Sequence, residues 1–82
     1  MINFKYEPNF LIIYLQDQKA GYINYEKKEK NLIIFKVFVN EEHRNLGIAN
    51  KLMQEIYNFA KNNNLTIIPI CSYSKKWLEK QQ

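Results

Sequence analysis

The residues best suited to chemistry follow an apolar run, Phe35–Val39, near the middle of the chain. Arg44, Gly47 and Ala49 stand there in the spacing Arg-x-x-Gly-x-Ala, immediately before a segment with a helical pattern. A tight turn that enters a helix points main-chain N–H groups and the positive end of the helix dipole at one small volume. The segment therefore predicts a cradle for a phosphate or pyrophosphate group. The alternative is that Gly47 is an ordinary turn glycine.

A second candidate is Cys71, the single cysteine, which lies between an apolar run and a short segment that could form a helix. A thiol at a helix N-terminus has its thiolate favoured and can act as a nucleophile. Tyr73, two residues further on, is close enough in sequence to donate a hydrogen bond to a leaving thiolate. The alternatives are an inert buried cysteine and a tyrosine used for packing.

Glu41, Glu42 and His43 cluster beside the predicted cradle, where a proton acceptor would stand. Such a cluster is more often a solvated loop. A metal site is not expected, because one histidine and one cysteine at distant positions do not form a ligand set.

The framework that positions these residues is predicted from apolar periodicity. Runs rich in β-branched and aromatic residues predict strands at 3–7, 10–15, 20–25 and 32–39. Turns are expected at 17–19 and at the polar stretch 26–31. Links this short favour an antiparallel meander.

The period then becomes helical. Apolar residues recur on one face at Ile48, Leu52, Ile56 and Phe59. This helix is expected to stop at Asn62–Asn64, since asparagine tolerates the left-handed cap conformation. A last strand is predicted at 65–71, parallel to the strand before the helix if the crossover is right-handed.

Pro69 interrupts this last strand and has no N–H to donate to a sheet. Either the strand lies at an edge, or it splays from its neighbour and opens a slot for an extended ligand arm beside the cradle. Ser72 or Ser74 is expected to cap a short terminal helix that carries Trp77 and Leu78. The predicted architecture is a mixed α/β (α+β) fold: an antiparallel meander, a β-α-β unit and a short C-terminal helix.

Bulk properties limit the class of protein. Eighty-two residues predict one domain, 1–82, and an apolar content of 46% excludes a disordered chain. No run approaches the ~20 apolar residues of a membrane helix, and the single cysteine and missing leader predict a cytoplasmic protein. The net charge of +4 suits an anionic ligand, or reflects a lysine-rich composition without a binding role. Aromatic strand residues with lysines are similar to an RNA-binding sheet in composition, but no ribonucleoprotein motif is present.

The segments Val39–Leu52 and Pro69–Tyr73 together resemble the GNAT superfamily of acyl-CoA-dependent acetyltransferases. Arg44, Gly47 and Ala49 match its Arg/Gln-x-x-Gly-x-Gly/Ala signature. The likeness is to a small branch of minimal single-domain GNAT-like proteins, which carry a Pro-x-Cys-x-Phe/Tyr motif. Here that motif reads Pro69-Ile70-Cys71-Ser72-Tyr73.

The resemblance implies an N-acetyltransferase that uses acetyl-CoA (coenzyme A after transfer) and an unidentified amine acceptor. It implies a catalytic role for Cys71, with Tyr73 beside it. Cofactor contacts would come from the main chain of the strand end and of the helix entrance: Phe38, Val39, Arg44, Asn45, Leu46, Gly47, Ile48, Ala49 and Asn50. No metal and no membrane are expected, nucleic acid is not expected as a partner, and either a monomer or a homodimer is open.

The chain departs from this pattern at two places. Asn40 replaces the usual proline, and Lys36-Val37-Phe38 replaces a polar segment that in relatives often reads His-Thr-Glu. These departures concern activity more than cofactor binding. Two alternatives therefore stay open: a non-catalytic acyl-CoA-binding module on the same scaffold, and a small basic nucleic-acid-binding protein.

Overall fold

Five strands and two helices make up residues 1–81, the part of the chain that the computed structural model describes. The elements are β1 (Ile2–Glu7), β2 (Phe10–Leu15), β3 (Gln18–Lys28), β4 (Asn31–Val39), α1 (Ile48–Asn62), β5 (Thr66–Pro69) and α2 (Ser72–Glu79), with a 3₁₀ turn at Glu41–His43. The sheet order is β1-β2-β3-β4-β5, with antiparallel pairs up to β4 and a parallel β4–β5 pair. This confirms the predicted meander, β-α-β unit and terminal helix.

The turns are tighter than the sequence suggested. The predicted turn at 26–31 is wrong, because β3 runs on to Lys28 and pairs it with Asn31 across a two-residue turn. The predicted turn at 17–19 is shifted, since Gln16 and Asp17 both have positive φ and β3 already begins at Gln18. Two left-handed residues in succession match the twist of the flanking strands, which allows a two-residue hairpin. Polar side chains at the hairpin ends concealed this pairing from a hydrophobicity pattern.

Both helices pack on the same face of the sheet. Ile48, Leu52, Met53 and Ile56 of α1 and Trp77 of α2 form one buried cluster with Leu11, Ile13, Ile23, Leu32 and Ile34 of the strands. Since side chains alternate across a strand, these strand residues define the covered face. The helix boundary at Asn62 agrees with the predicted stop, and Asn64 has the expected positive φ of 55°.

The last strand is shorter than predicted. It covers Thr66–Pro69 rather than 65–71, and pairs only with the first half of β4, from Asn31 to Ile34. Beyond Pro69 the N–H groups of Ile70 and Cys71 both donate to the Ile34 carbonyl, at 2.9 and 3.3 Å. The chain turns away at that point, so β5 is an edge strand and also diverges from β4.

The start of α2 corrects the predicted cap. Neither Ser72 nor Ser74 is the N-cap; Cys71 is, in an extended conformation. Its Sγ accepts a hydrogen bond from the Ser74 N–H at 3.4 Å, and the Ser74 hydroxyl donates back to the Cys71 carbonyl at 2.9 Å. This reciprocal pair satisfies one of the N–H groups that a helix start leaves free.

No helix in the part of the chain that the structure describes is long and apolar enough to cross a membrane.

Candidate functional site

A cavity of about 450 Å³ opens where β4 continues without β5. The register ends at the pair Ile34 and Pro69, whereas β4 runs on to Val39. The cavity lies between this unpaired half of β4 and the start of α1. Its lining residues are Val37, Phe38, Val39, His43, Arg44, Asn45, Gly47, Ile48, Ala49, Asn50 and Tyr73.

The start of α1 provides main-chain donors on this cavity. The first helical bond runs from the Lys51 N–H to the Gly47 carbonyl at 3.0 Å. The N–H groups of Ile48, Ala49 and Asn50 precede it and so have no carbonyl partner within the helix. These three groups and the helix dipole favour negative charge at the same point.

Gly47 combines a special conformation with open space. Its φ is +74° and its ψ is 19°, the left-handed region, in which other residues are strained. A Cβ built on Gly47 would meet no atom within 4 Å. Packing therefore does not require glycine at this position, whereas the turn does, and a ligand can approach the main chain closely there.

The Arg44 side chain ties the turn to the end of β4. Its Nε donates to the Val39 carbonyl at 3.3 Å while the residue stays exposed. Asn40 holds the same strand end from the other side, because its side-chain amide donates to the Lys19 carbonyl and its N–H to the Ala20 carbonyl. A proline at position 40 could make neither bond, so the asparagine found here extends the contact between β3 and β4.

His43 does not share the environment of its neighbours in the 3₁₀ turn. Glu41 and Glu42 are exposed, whereas His43 is buried, with 8% of its surface exposed, and lines the cavity. Among the described residues its Nδ1 is buried without a hydrogen-bond partner. The sequence grouped these three residues as one loop cluster, because a polar run gives no sign that its last member turns inward.

The first turn of α2 completes the wall of the cavity. Tyr73 lines the cavity, and burial, followed by the nearby charge of Cys71, raises the pKa of its hydroxyl. Cys71 itself is half-buried and does not line the cavity. Leu46 lies outside the lining as well, with 53% of its surface exposed. The other predicted contact residues all border this one cavity.

A hydrogen bond that the sequence did not reveal fixes the two helix starts relative to each other. The indole Nε1–H of Trp77 donates to Asn50 Oδ1 at 2.6 Å. The Trp77 ring also lies edge-on to Tyr57 of α1, with centroids 5.5 Å apart. Trp77 and Asn50 are 27 positions apart in the sequence, and no local pattern links such a pair.

No group of three or more His, Cys, Asp or Glu side chains that could hold a metal ion occurs within residues 1–81.

The meander, the crossover helix and the diverging β4–β5 pair define an α+β protein of the N-acetyltransferase fold. A sequence model described as GCN5-related N-acetyl-transferase matches residues 10–82. The chain therefore belongs to the GCN5-related N-acetyltransferase family. A search among curated proteins found no match.

Solved structures agree with this assignment. A GCN5-like protein from Staphylococcus aureus is 28% identical, with a TM-score of 0.76 over 96% of this chain and 79% of that one. A Bacillus anthracis protein assigned as a streptothricin acetyltransferase, in complex with acetyl coenzyme A, is 26% identical, with a TM-score of 0.67 over 90% of this chain and 47% of that one.

A more distant structure shares the fold alone. PaiA N-acetyltransferase from Thermoplasma acidophilum, in complex with coenzyme A, is 16% identical, with a TM-score of 0.63 over 68% of this chain. The present chain spans 35% of its length. The chain thus corresponds to about a third of the PaiA protein and to just under half of the Bacillus anthracis protein.

Proposed function

We propose that residues 1–82 form a single minimal N-acetyltransferase domain that binds acetyl-CoA and transfers its acetyl group to a primary amine. We assign it to the small branch with a Pro-x-Cys motif, here Pro69 to Cys71. The observation that carries the proposal is that one cavity is bordered both by the free N–H groups of α1 and by the unpaired half of β4. The single cysteine suits a reducing, cytoplasmic location.

The pyrophosphate of the cofactor would lie at the start of α1. The N–H groups of Ile48, Ala49 and Asn50 donate in that direction, and Gly47 leaves room beside them. The pantetheine arm would extend along Phe38 and Val39, in the half of β4 that β5 does not pair, where Arg44 Nε already donates to the Val39 carbonyl. An extended arm with amide groups can bond to an open strand edge as another strand would.

Acetyl-CoA supplies an activated acyl group as a thioester. The chain would hold that group so that a neutral amine can attack its carbonyl carbon, and would stabilise the charge that develops on the oxygen with main-chain N–H groups. Tyr73 would donate its hydroxyl proton to the departing sulfur, and the proton that the attacking amine loses would restore the hydroxyl. A tyrosine hydroxyl is protonated at neutral pH at its ordinary pKa, and burial raises the pKa of Tyr73 further.

Two routes differ in the role of Cys71. In the direct route the amine attacks the thioester itself, and Cys71 caps α2. In the covalent route Cys71 accepts the acetyl group first, for which Sγ must leave its hydrogen bond with the Ser74 N–H. We favour the direct route, because Cys71 does not line the cavity and its sulfur already serves as the helix cap.

Native mass spectrometry and calorimetric titration with CoA test the binding step. We expect a 1:1 complex with CoA, and acetylation of a primary amine when acetyl-CoA is supplied with a panel of amines. Binding without turnover on any amine would instead favour a non-catalytic acyl-CoA module. Absence of CoA binding would overturn the proposed function.

Cys71→Ser separates the two routes. Serine is a good helix cap but does not relay an acetyl group as a thiol does. Under the direct route the variant should keep its turnover and its melting temperature. A loss of turnover with unchanged CoA affinity and unchanged stability would establish the covalent route.

A further inference from the structure

The sheet has a second face that no element covers within residues 1–81. Both helices pack against the face that carries Leu11, Ile13 and Ile23. Alternation along the strands places the intervening side chains on the opposite face. The strand register therefore determines which side chains lie on this open face.

Aromatic side chains form a continuous row on the open face. Ile12, Tyr22 and Phe38 are direct neighbours across β2, β3 and β4. The rings of Tyr22 and Phe38 are stacked with centroids 5.3 Å apart, and Phe10 meets Tyr22 edge-on at 5.5 Å. Ile12 is 4% exposed, whereas Phe10 is 37% exposed. The rings thus cover Ile12, while Phe10 stays accessible to solvent.

Positive charge surrounds this row. Lys36 Nζ lies over the Phe38 ring, 5.5 Å from its centroid, and Lys5 is the direct neighbour of Ile12 on β1. Of the two glutamates on the open face, Glu7 is paired with Lys5 at 3.4 Å. The charged residues that the register places on this face are Lys5, Lys19, Lys28, Lys36, Glu7 and Glu26.

We propose that the open face binds single-stranded nucleic acid, with bases stacked on Phe10, Tyr22 and Phe38 and phosphates beside the lysines. Flat rings on a sheet accept unpaired bases of any sequence, and lysines at their margin neutralise the backbone. A second copy of this chain fits less well, because it would bring a second set of the same lysines against the first. The composition did not favour this partner; the side-by-side placement of rings from three strands does.

The proposal does not require acyl-CoA binding, although the two sites share one residue. Phe38 belongs to the ring row and also borders the cavity beside α1, whereas Phe10 and Tyr22 do not border that cavity. Oligonucleotide binding at the ring row should therefore persist when the cavity is filled with CoA. Complete displacement by CoA would instead place the oligonucleotide phosphates at the start of α1.

Fluorescence anisotropy with a labelled ten-nucleotide oligouridylate tests the proposal on the full chain at low salt. We expect saturable binding that is stronger than binding to a duplex of equal length, because paired bases cannot stack on the rings. If three lysines of the open face contact phosphates, the slope of log affinity against log salt concentration should be about −2. The oligonucleotide should still bind at saturating CoA, because Phe10 and Tyr22 stay accessible when the cavity is filled.

Leucine substitutions remove the stacking surfaces while keeping Ile12 covered. The double variant Phe10→Leu and Tyr22→Leu should bind the oligonucleotide about tenfold more weakly or worse. Phe59→Leu is the matched control, since it removes a half-buried ring on α1 that packs against Tyr6, with centroids 5.0 Å apart, on the other side of the sheet. Lys36→Gln should lower both affinity and salt slope, whereas Lys76→Gln, an exposed lysine of α2, should change neither.

The proposal fails if the oligonucleotide does not bind at low salt, binds equally well as a duplex, or is completely displaced by CoA. It also fails if Phe59→Leu weakens binding as much as the double variant does. Sedimentation that shows a dimer abolished by the double variant, without oligonucleotide binding, would identify a second copy as the partner instead.

Discussion

Trp77 Nε1 and Asn50 Oδ1 lie 2.6 Å apart, and this hydrogen bond joins the second helix to the entrance of the first. Asn50 borders the cavity, and Trp77 lies one helical turn beyond Tyr73, which borders it as well. The bond therefore holds the start of α1, where we propose that the pyrophosphate binds, against the helix that carries Tyr73.

Breaking this bond should loosen the cavity as well as the fold. Trp77→Phe and Asn50→Ala, measured singly and together by denaturant unfolding, should give a coupling free energy of about 1 kcal/mol. Trp77→Phe keeps an aromatic ring beside Tyr57, which limits the packing loss. If the two effects simply add, the bond does not stabilise the protein in solution.

Gly47→Val and Gly47→Asn distinguish backbone strain from obstruction of the ligand. Valine at φ +74° should lower the free energy of unfolding by about 1–2 kcal/mol, whereas asparagine tolerates this region and should cost less. Both side chains project into the space beside the helix start, so both should weaken CoA binding in calorimetric titration. Unchanged CoA affinity in Gly47→Asn would contradict the predicted cradle.

Tyr6 makes the fold sensitive to alkaline pH. Burial, together with the charge and hydrogen bond of Glu55 at 3.0 Å, raises the pKa of its hydroxyl above the ordinary value of 10.0. The folded state thus holds this proton more tightly than the unfolded state does. Its contribution is complete below pH 10 and is lost as the pH rises further.

Tyr6→Phe isolates this effect, since it keeps the ring that packs against Phe59, with centroids 5.0 Å apart. Urea unfolding between pH 8 and pH 11.5 should show a shallower loss of stability above pH 10 in the variant than in the wild type. If the curves of stability against pH run parallel for the variant and the wild type, Tyr6 has no such proton linkage.

His43→Phe should stabilise the protein. Its Nδ1 is buried without a partner, and such a group costs on the order of 1 kcal/mol that a ring of similar shape without polar atoms avoids. The measurement is the midpoint of thermal unfolding, with His43→Leu as a smaller substitute in case phenylalanine does not fit. Lower midpoints for both variants would show that the imidazole has a bonding partner in solution.

Much of the fold could be predicted because local patterns and long-range packing agree. The β-branched and aromatic run Phe10–Leu15 specifies a strand, and the helical spacing from Ile48 onward specifies both a helix and its buried face. The hairpin ends could not be predicted in this way. Residues such as Glu26 and Lys28 pair through their main chains, and their polar side chains resemble those of a loop.

The candidate site, like the fold, could be predicted from the sequence only in part. Main-chain donors follow from the sequence of the turn, and Arg44, Gly47 and Ala49 border one cavity. Side-chain placement depends on contacts across the molecule. For this reason the burial of His43, the bond from Trp77 to Asn50 and the capping role of Cys71 could not be read from spacing alone.

The parallel crossover from β4 to β5 also determines when, during folding, the cavity between β4 and α1 can form. Lys28 meets Asn31 after a short turn, whereas Ile67 must find Leu32 across the whole of α1, at a larger loss of chain entropy. We expect the meander to be the folding nucleus, with low φ-values for Ile67→Val and higher ones for Ile23→Val in stopped-flow kinetics. A nascent or partly unfolded chain would then possess its exposed aromatic sheet before it can hold a cofactor.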